Sequence, residues 1–87
     1  MENIWTLQVG QRVAGNYMGA FPYRGTVTAF RGHTMNHQIA LVFVDLDAPI
    51  EVFGAERDSL VINASNDAAA ASRFSGGIAP DTIEVLN

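Results

Sequence analysis

Apolar residues cluster in short runs over the first two-thirds of the chain, and glycine, proline and asparagine break them at short intervals. The runs between these breaks are LQVGQRVAGNY (7–17), which alternates around Val13, YRGTVTAF (23–30), HQIALVFVDLD (37–47), PIEVFG (49–54) and SLVIN (59–63). Five short runs rich in β-formers, separated by turn residues, predict an all-β barrel or sandwich. Before residue 64 a helical turn is expected only at GAERD (54–58).

The third run is the strongest strand signal. Side chains alternate faces along a strand, so Ile39, Leu41 and Phe43 share one face and Ala40, Val42, Val44 and Leu46 the other. Both faces are apolar, whereas a strand with one side in water shows a polar outer face. The expectation is that a C-terminal segment or a second copy covers the outside.

The pattern changes at Ala64. SNDAAAASRFSGG (65–77) starts with capping residues, continues through four alanines and ends in a glycine pair, which predicts a short helix with an N-cap and a stop. Arg73 falls in its last turn, where the helix dipole favours a cation. APDTIEVLN (79–87) predicts a final short strand through Ile83, Val85 and Leu86. The alternative for this tail is an extension without fixed structure. Between the second and third runs, RGHTMNHQ (31–38) reads as a long hairpin loop, with Gly32 and Asn36 as its permissive positions.

Composition narrows the picture. Eighty-seven residues predict one domain, of a size that buries only about 60–65 % of its unfolded surface. There is no cysteine, hence no disulfide framework and no zinc–thiolate site. All five bases are arginines against nine acids, a formal net charge of −4. That balance argues against nucleic acid as a partner. The lack of lysine excludes Schiff-base chemistry and a P-loop. MENIWTLQVG has no basic start or long apolar run, so no signal peptide is expected. No window reaches the roughly 20 apolar residues that cross a bilayer. The expectation is a cytoplasmic protein with no membrane partner.

Gly10, Val13, Tyr17, Gly19, Tyr23, Gly25 and Val27, followed by VFVDLD (42–47), resemble the small SH3-like barrels, most closely their Tudor-like branch. The likeness covers about residues 8–62. It implies a second strand bent at Gly25, as strand glycines often mark corners, and an interior filled by Val27 and by Val42 or Val44. It also implies an aromatic cage for a methylated lysine or arginine, to which Tyr17, Phe21 and Tyr23 would contribute. The residue after the strand-end Asp45 would be a further wall, but it is Leu46. The chain is also similar to the type II dihydrofolate reductases in its G-x-R-V start (10–13). Where those enzymes carry Val-Gln-Ile-Tyr, this chain has Ile50-Glu51-Val52-Phe53, and it lacks their catalytic lysine, so the activity is not carried over.

Few residues point to chemistry. His33 and His37, with Asp45, are the candidate metal ligands, imidazole and carboxylate being suited to divalent ions, but two histidines fall short of a usual catalytic zinc set. No metal and no cofactor are expected. Asp45 and Asp47, two apart on one strand face, could divide acid and base roles. DLDAP more simply reads as a turn before Pro49. No serine sits in a nucleophile elbow. The aromatics of NYMGAFPYRG (16–25) either line a ligand groove or plug one end of the barrel.

The resulting expectation is an all-β fold, a small five-stranded SH3-like barrel over residues 1–63. A C-terminal helix and strand extension over 64–87 would pack on it. The expected function is a self-associating, non-enzymatic binding module with a peptide or small-molecule ligand. Its candidate ligand-binding residues are Tyr17, Phe21, Tyr23, Arg31 and His33, with no catalytic residue assigned. The competing expectation is a small enzyme whose site forms between subunits from His33, His37, Asp45 and Asp47.

Overall fold

The computed structural model describes residues 6–32, 39–65 and 81–86. They form one antiparallel sheet of five strands: β1 (Arg12–Tyr17), β2 (Phe21–Gly32), β3 (Ile39–Val52), β4 (Ala55–Ser65) and β5 (Glu84–Val85). The strand order is β4-β3-β2-β1-β5. The described residues are therefore all-β, as the β-rich runs predict. The expected helix lies outside the described residues, apart from Ser65, which ends β4. The expected final strand is present as β5, on the free edge of β1.

β2 serves two neighbours in succession. Its first half pairs with β1, from Tyr17↔Phe21 to Arg12↔Thr26, and its second half pairs with β3, from Gly25↔Leu46 to Gly32↔Ala40. Gly25, where the two pairings overlap, has no room for a side chain, because a Cβ there would collide with the carbonyl oxygen of Asp45. Just beyond it the register shifts between Val27 and Ala29. The extra residue in such a bulge bends the strand and increases its twist. It also resets the face, so that both Val27 and Phe30 point to the core side, opposite Val44 and Val42.

The sequence divides residues 37–54 into two runs, but the structure joins them. β3 passes through Pro49, and its pairing with β4 jumps from Asp45↔Ser59 to Ile50↔Arg57. DLDAP is thus an irregular stretch inside one strand and not a turn between two. Pro49 is tolerated because no ladder partner faces it there. The helical turn expected at 54–58 is likewise replaced by strand. The reversal is a two-residue turn at Phe53-Gly54, with positive φ at both positions (51° and 79°).

The core is buried on one side of this sheet: Val13, Tyr23, Val27, Val42, Val44, Leu60 and Ile62, with Leu7 and Ile83 at its margins. Each fully buried valine or isoleucine contributes about 2 kcal/mol through removal from water. The sheet curls so far that its two edges come within one side chain of each other. Asp81, just ahead of β5, accepts the backbone N–H of Met18 (2.6 Å) after β1 and that of Asn63 (2.9 Å) in β4. The edges are linked by this carboxylate, while the backbone ladder itself remains open between β4 and β5. Of the two faces of β3, Val42 and Val44 are buried while Leu41 and Phe43 are only half-buried.

Candidate functional site

β4 is an edge strand whose only ladder partner among the described residues is β3. Along it runs an open cleft of about 270 Å³. Phe43 and Val61 give it apolar surface, Tyr17 an aromatic wall, and Asp45, Arg57 and Ser59 a polar border. Val61 is 42 % exposed although cross-strand from Phe43, so a contiguous apolar strip faces outward. The alternation that buries Leu60 and Ile62 necessarily turns Ser59 and Val61 the other way. Thr28, in the β2 bulge, donates its hydroxyl to the Phe43 carbonyl (3.3 Å) and fixes the far side of the cleft.

From this cleft an aromatic ridge leads to the tip of the β3–β4 hairpin. Tyr17 is the register partner of Phe21. The Phe21 ring meets that of Phe53 edge to face, with centroids 5.2 Å apart and planes at 77°. Phe53 is 76 % exposed. Its backbone is left-handed (φ 51°), the conformation that both central residues of a type I′ turn require and that asparagine or glycine adopts most readily. The β1–β2 turn repeats the device. The Ala20 N–H donates to the Tyr17 carbonyl (3.2 Å), with Met18 and Gly19 at positive φ between them.

The charge is unevenly placed. Residues 45–59 carry five acids (Asp45, Asp47, Glu51, Glu56 and Asp58) against Arg57 alone, a formal −4, whereas the four acids and four arginines elsewhere cancel. Asp47 is neutralised within the fold. Its carboxylate accepts two bonds from the Arg12 guanidinium, one of them at 2.6 Å, and Arg12 also donates to the Thr26 hydroxyl (2.9 Å). The hydrogen bond to Arg12 holds the Asp47 carboxyl below its usual range, helped by the charges of Arg12 and Arg24. Glu51 and Glu56 are direct cross-strand partners, both exposed, at the base of the Phe53 turn.

The residues expected to bind ligand separate. Tyr17 borders the cleft and Phe21 joins the ridge. Tyr23 is 5 % exposed, and its hydroxyl donates to the Thr82 carbonyl (2.8 Å). Its ring is part of the core and forms no wall of a surface cage. Arg31 is exposed near the end of β2, opposite Leu41 and away from the cleft. His33 and His37 lie outside the described residues. Asp45 and Asp47 do not act as a pair, one bordering the cleft and the other bound to Arg12. Among the described residues no group of three or more histidines and carboxylates could hold a metal ion, and no helix is long and apolar enough to cross a membrane.

The sequence pattern assigns no site role to Phe53, Val61 or Arg57, and it places Phe43 only on an apolar face of the third run that calls for a cover. The Phe-Gly pair at 53–54 was the one available signal, since an X-Gly pair between alternating runs marks a tight hairpin. No family model, curated protein or solved structure matches the chain.

Proposed function

We propose that the chain is a small non-enzymatic interaction module, built as an SH3-like barrel of the Tudor-like kind, that takes an extended protein segment along β4. The observation that carries this reading is the position of the cleft against an edge strand. An extended segment gains main-chain hydrogen bonds from such an edge, and adjacent pockets select its alternate side chains. The Asn63 amide, held by Asp81, marks where the free edge ends, which leaves Arg57 to Val61 for the ligand. Phe43 and Val61 take apolar side chains, and Asp45 and Arg57 set polarity at the border.

Selection of a random peptide library on the wild-type chain, with counter-selection on Val61→Asp, tests this. Enriched peptides should shift the amide resonances of Ser59, Leu60 and Val61. Enrichment that survives on Val61→Asp, or shifts confined to other strands, would sink the reading.

A second reading has its own support. Leu41 and Phe43 on β3 and Val61 on β4 form outward apolar surface, and a second copy is the other natural cover for it. Light scattering separates the two. A dimer that Val61→Asp converts to monomer favours self-association through this face. A monomer at high concentration removes it.

A further inference from the structure

Among the described residues β4 pairs on one side only, and its 11 residues include neither proline nor lysine, two common guards of an exposed edge. Asn63 fixes which way its backbone groups point. The Asn63 N–H turns away from β3 to reach Asp81 (2.9 Å). Backbone groups alternate sides along an antiparallel strand. Val61, Ser59 and Arg57 therefore aim their N–H and C=O groups at the open edge too, where no described residue takes them. The same three residues line the cleft, together with Phe43 and Asp45. Arg57 and Asp45 are both exposed, and neither has an ion-pair partner among the described residues. One short stretch of edge thus presents unpaired backbone groups, the exposed Val61 and one free charge of each sign.

We propose that the strand β4 accepts is β4 of a second copy, paired antiparallel about Ser59. A twofold axis makes any such pairing antiparallel and self-complementary. The groups on offer place the axis. Arg57, Ser59 and Val61 are open, while the Asn63 amide is taken by Asp81. Only the register centred on Ser59 uses all three residues in both copies. Centred on Asp58, the pair would set two aspartates opposite each other; centred on Leu60, it would need the Asn63 amide. In the Ser59 register, Val61 faces the partner's Arg57. That arginine covers Val61 with its apolar stem. Its guanidinium passes the small Ser59 into the cleft, toward Asp45, the β3 neighbour of Ser59. By symmetry Arg57 enters the partner's cleft, so each cleft is completed by the other copy.

This inference rests on the reading of β4 as an edge that accepts a strand, and the test separates the two. A contact of this size belongs with weak encounters, so sedimentation equilibrium is run up to about 1 mM. The wild-type chain should show a monomer–dimer equilibrium. Asp45→Arg and Arg57→Asp each set like charges against each other and should each weaken the dimer about tenfold. An equimolar mixture of the two variants restores opposite charges at both clefts. It should recover the wild-type affinity to within about threefold. The two changes move the net charge in opposite directions, so a general charge effect does not give this pattern. The register has its own check, because the chain has no cysteine. Ser59→Cys should form a disulfide dimer under mild oxidation, its paired Cα atoms being about 5.5 Å apart. Val61→Cys should not, because its two copies stand out of register.

A monomer at every concentration overturns the inference and leaves β4 open to a segment of another protein, which the peptide selection reads separately. A dimer that survives both single variants, or a mixture that stays monomeric, also overturns it. So does cross-linking of Val61→Cys in preference to Ser59→Cys. A monomer in which selected peptides also fail to shift β4 removes the strand-accepting reading with it.

Discussion

Thr82 crosses Gly15 so closely that a Cβ on the glycine would collide with the Thr82 carbonyl oxygen and carbon. The contact is held from both sides. The Thr82 N–H donates to the Asn16 carbonyl and the Asn16 N–H to the Thr82 hydroxyl, each at 2.9 Å. Neither partner is a flexible side-chain end, so a methyl group cannot be absorbed locally. Gly15→Ala should therefore displace the 81–86 segment and destabilise the fold by roughly 2 kcal/mol or more, read by urea unfolding. Gly10→Ala is the contrast. Nothing lies within 4 Å of its Cβ position, and only its positive φ (94°) opposes the change, so about 1 kcal/mol is expected. Equal losses at the two sites would show that close approach at Thr82 is not what requires Gly15.

Asp81 should be the most costly polar residue to truncate. Asp81→Ala leaves the Met18 and Asn63 amides without their acceptor. Both contacts are part-buried, and a lost acceptor of this kind costs about 1–3 kcal/mol when fully buried; a total near 2 kcal/mol is expected. Hydrogen exchange gives the specific check. The Met18 and Asn63 amides should lose protection together, ahead of β2 and β3. Unchanged protection at either amide would mean that the carboxylate does not link the edges.

Tyr23 gives a pH dependence whose sign is fixed. Burial, with the Asp81 charge adding to it, raises the phenol above its ordinary value of 10.0. The folded chain therefore keeps a proton that the unfolded chain releases. The resulting stabilisation is complete below pH 10 and is lost as pH rises above it. Tyr23→Phe should lose about 1 kcal/mol near neutral pH, for the bond to Thr82, and should unfold less steeply in alkali. An identical alkaline profile in the two proteins would contradict this.

Local pattern revealed the strands but not their joins. Val27, Val42 and Val44 lie on the core side, where the barrel resemblance puts Val27 and one of the other two, while Tyr23, expected to bind ligand, is core as well. Parity is lost at Thr28, because one bulge residue puts Phe30 on the same side as Val27. It is lost again at residues 46–49, where Pro49 looks like a terminator and is only a strand irregularity. Tyr17 and Tyr23 look equivalent in an aromatic loop. Which of them is buried depends on Thr82, 59 residues beyond Tyr23, and no local rule reaches that far. Phe53 was hidden for a related reason. An apolar residue ending an apolar run looks like core unless its left-handed backbone is known.

The Arg12–Asp47 pair should matter in acid. Asp47 is held below its ordinary value of 3.8, chiefly by the hydrogen bond to Arg12. Its contribution is therefore present above that value and disappears as pH falls through the lowered one. The pair is solvent-exposed, so its effect is small and screened by salt. Asp47→Asn should leave the midpoint of thermal unfolding near neutral pH almost unchanged and flatten its decline below pH 4. A steep acid decline that persists in Asp47→Asn would place the acid-sensitive group elsewhere.

Phe53→Asn and Phe53→Ala should differ in a way that separates backbone strain from ring contact. Asparagine adopts the left-handed conformation with little cost, and relief of the strain at φ 51° is worth about 1 kcal/mol. The change also removes the edge-to-face contact with Phe21, which is worth about 0.5–1.5 kcal/mol. The two effects nearly cancel, so Phe53→Asn should keep the wild-type thermal midpoint to within a few degrees. Alanine removes the ring and keeps the strain, so Phe53→Ala should be less stable by about 1 kcal/mol. If alanine and asparagine are equally destabilising, the ring contact with Phe21 dominates and the backbone at Phe53 is not strained. If asparagine is clearly more stable than the wild type, the exposed ring costs the fold more than it returns, as expected of a side chain kept for contact with a partner.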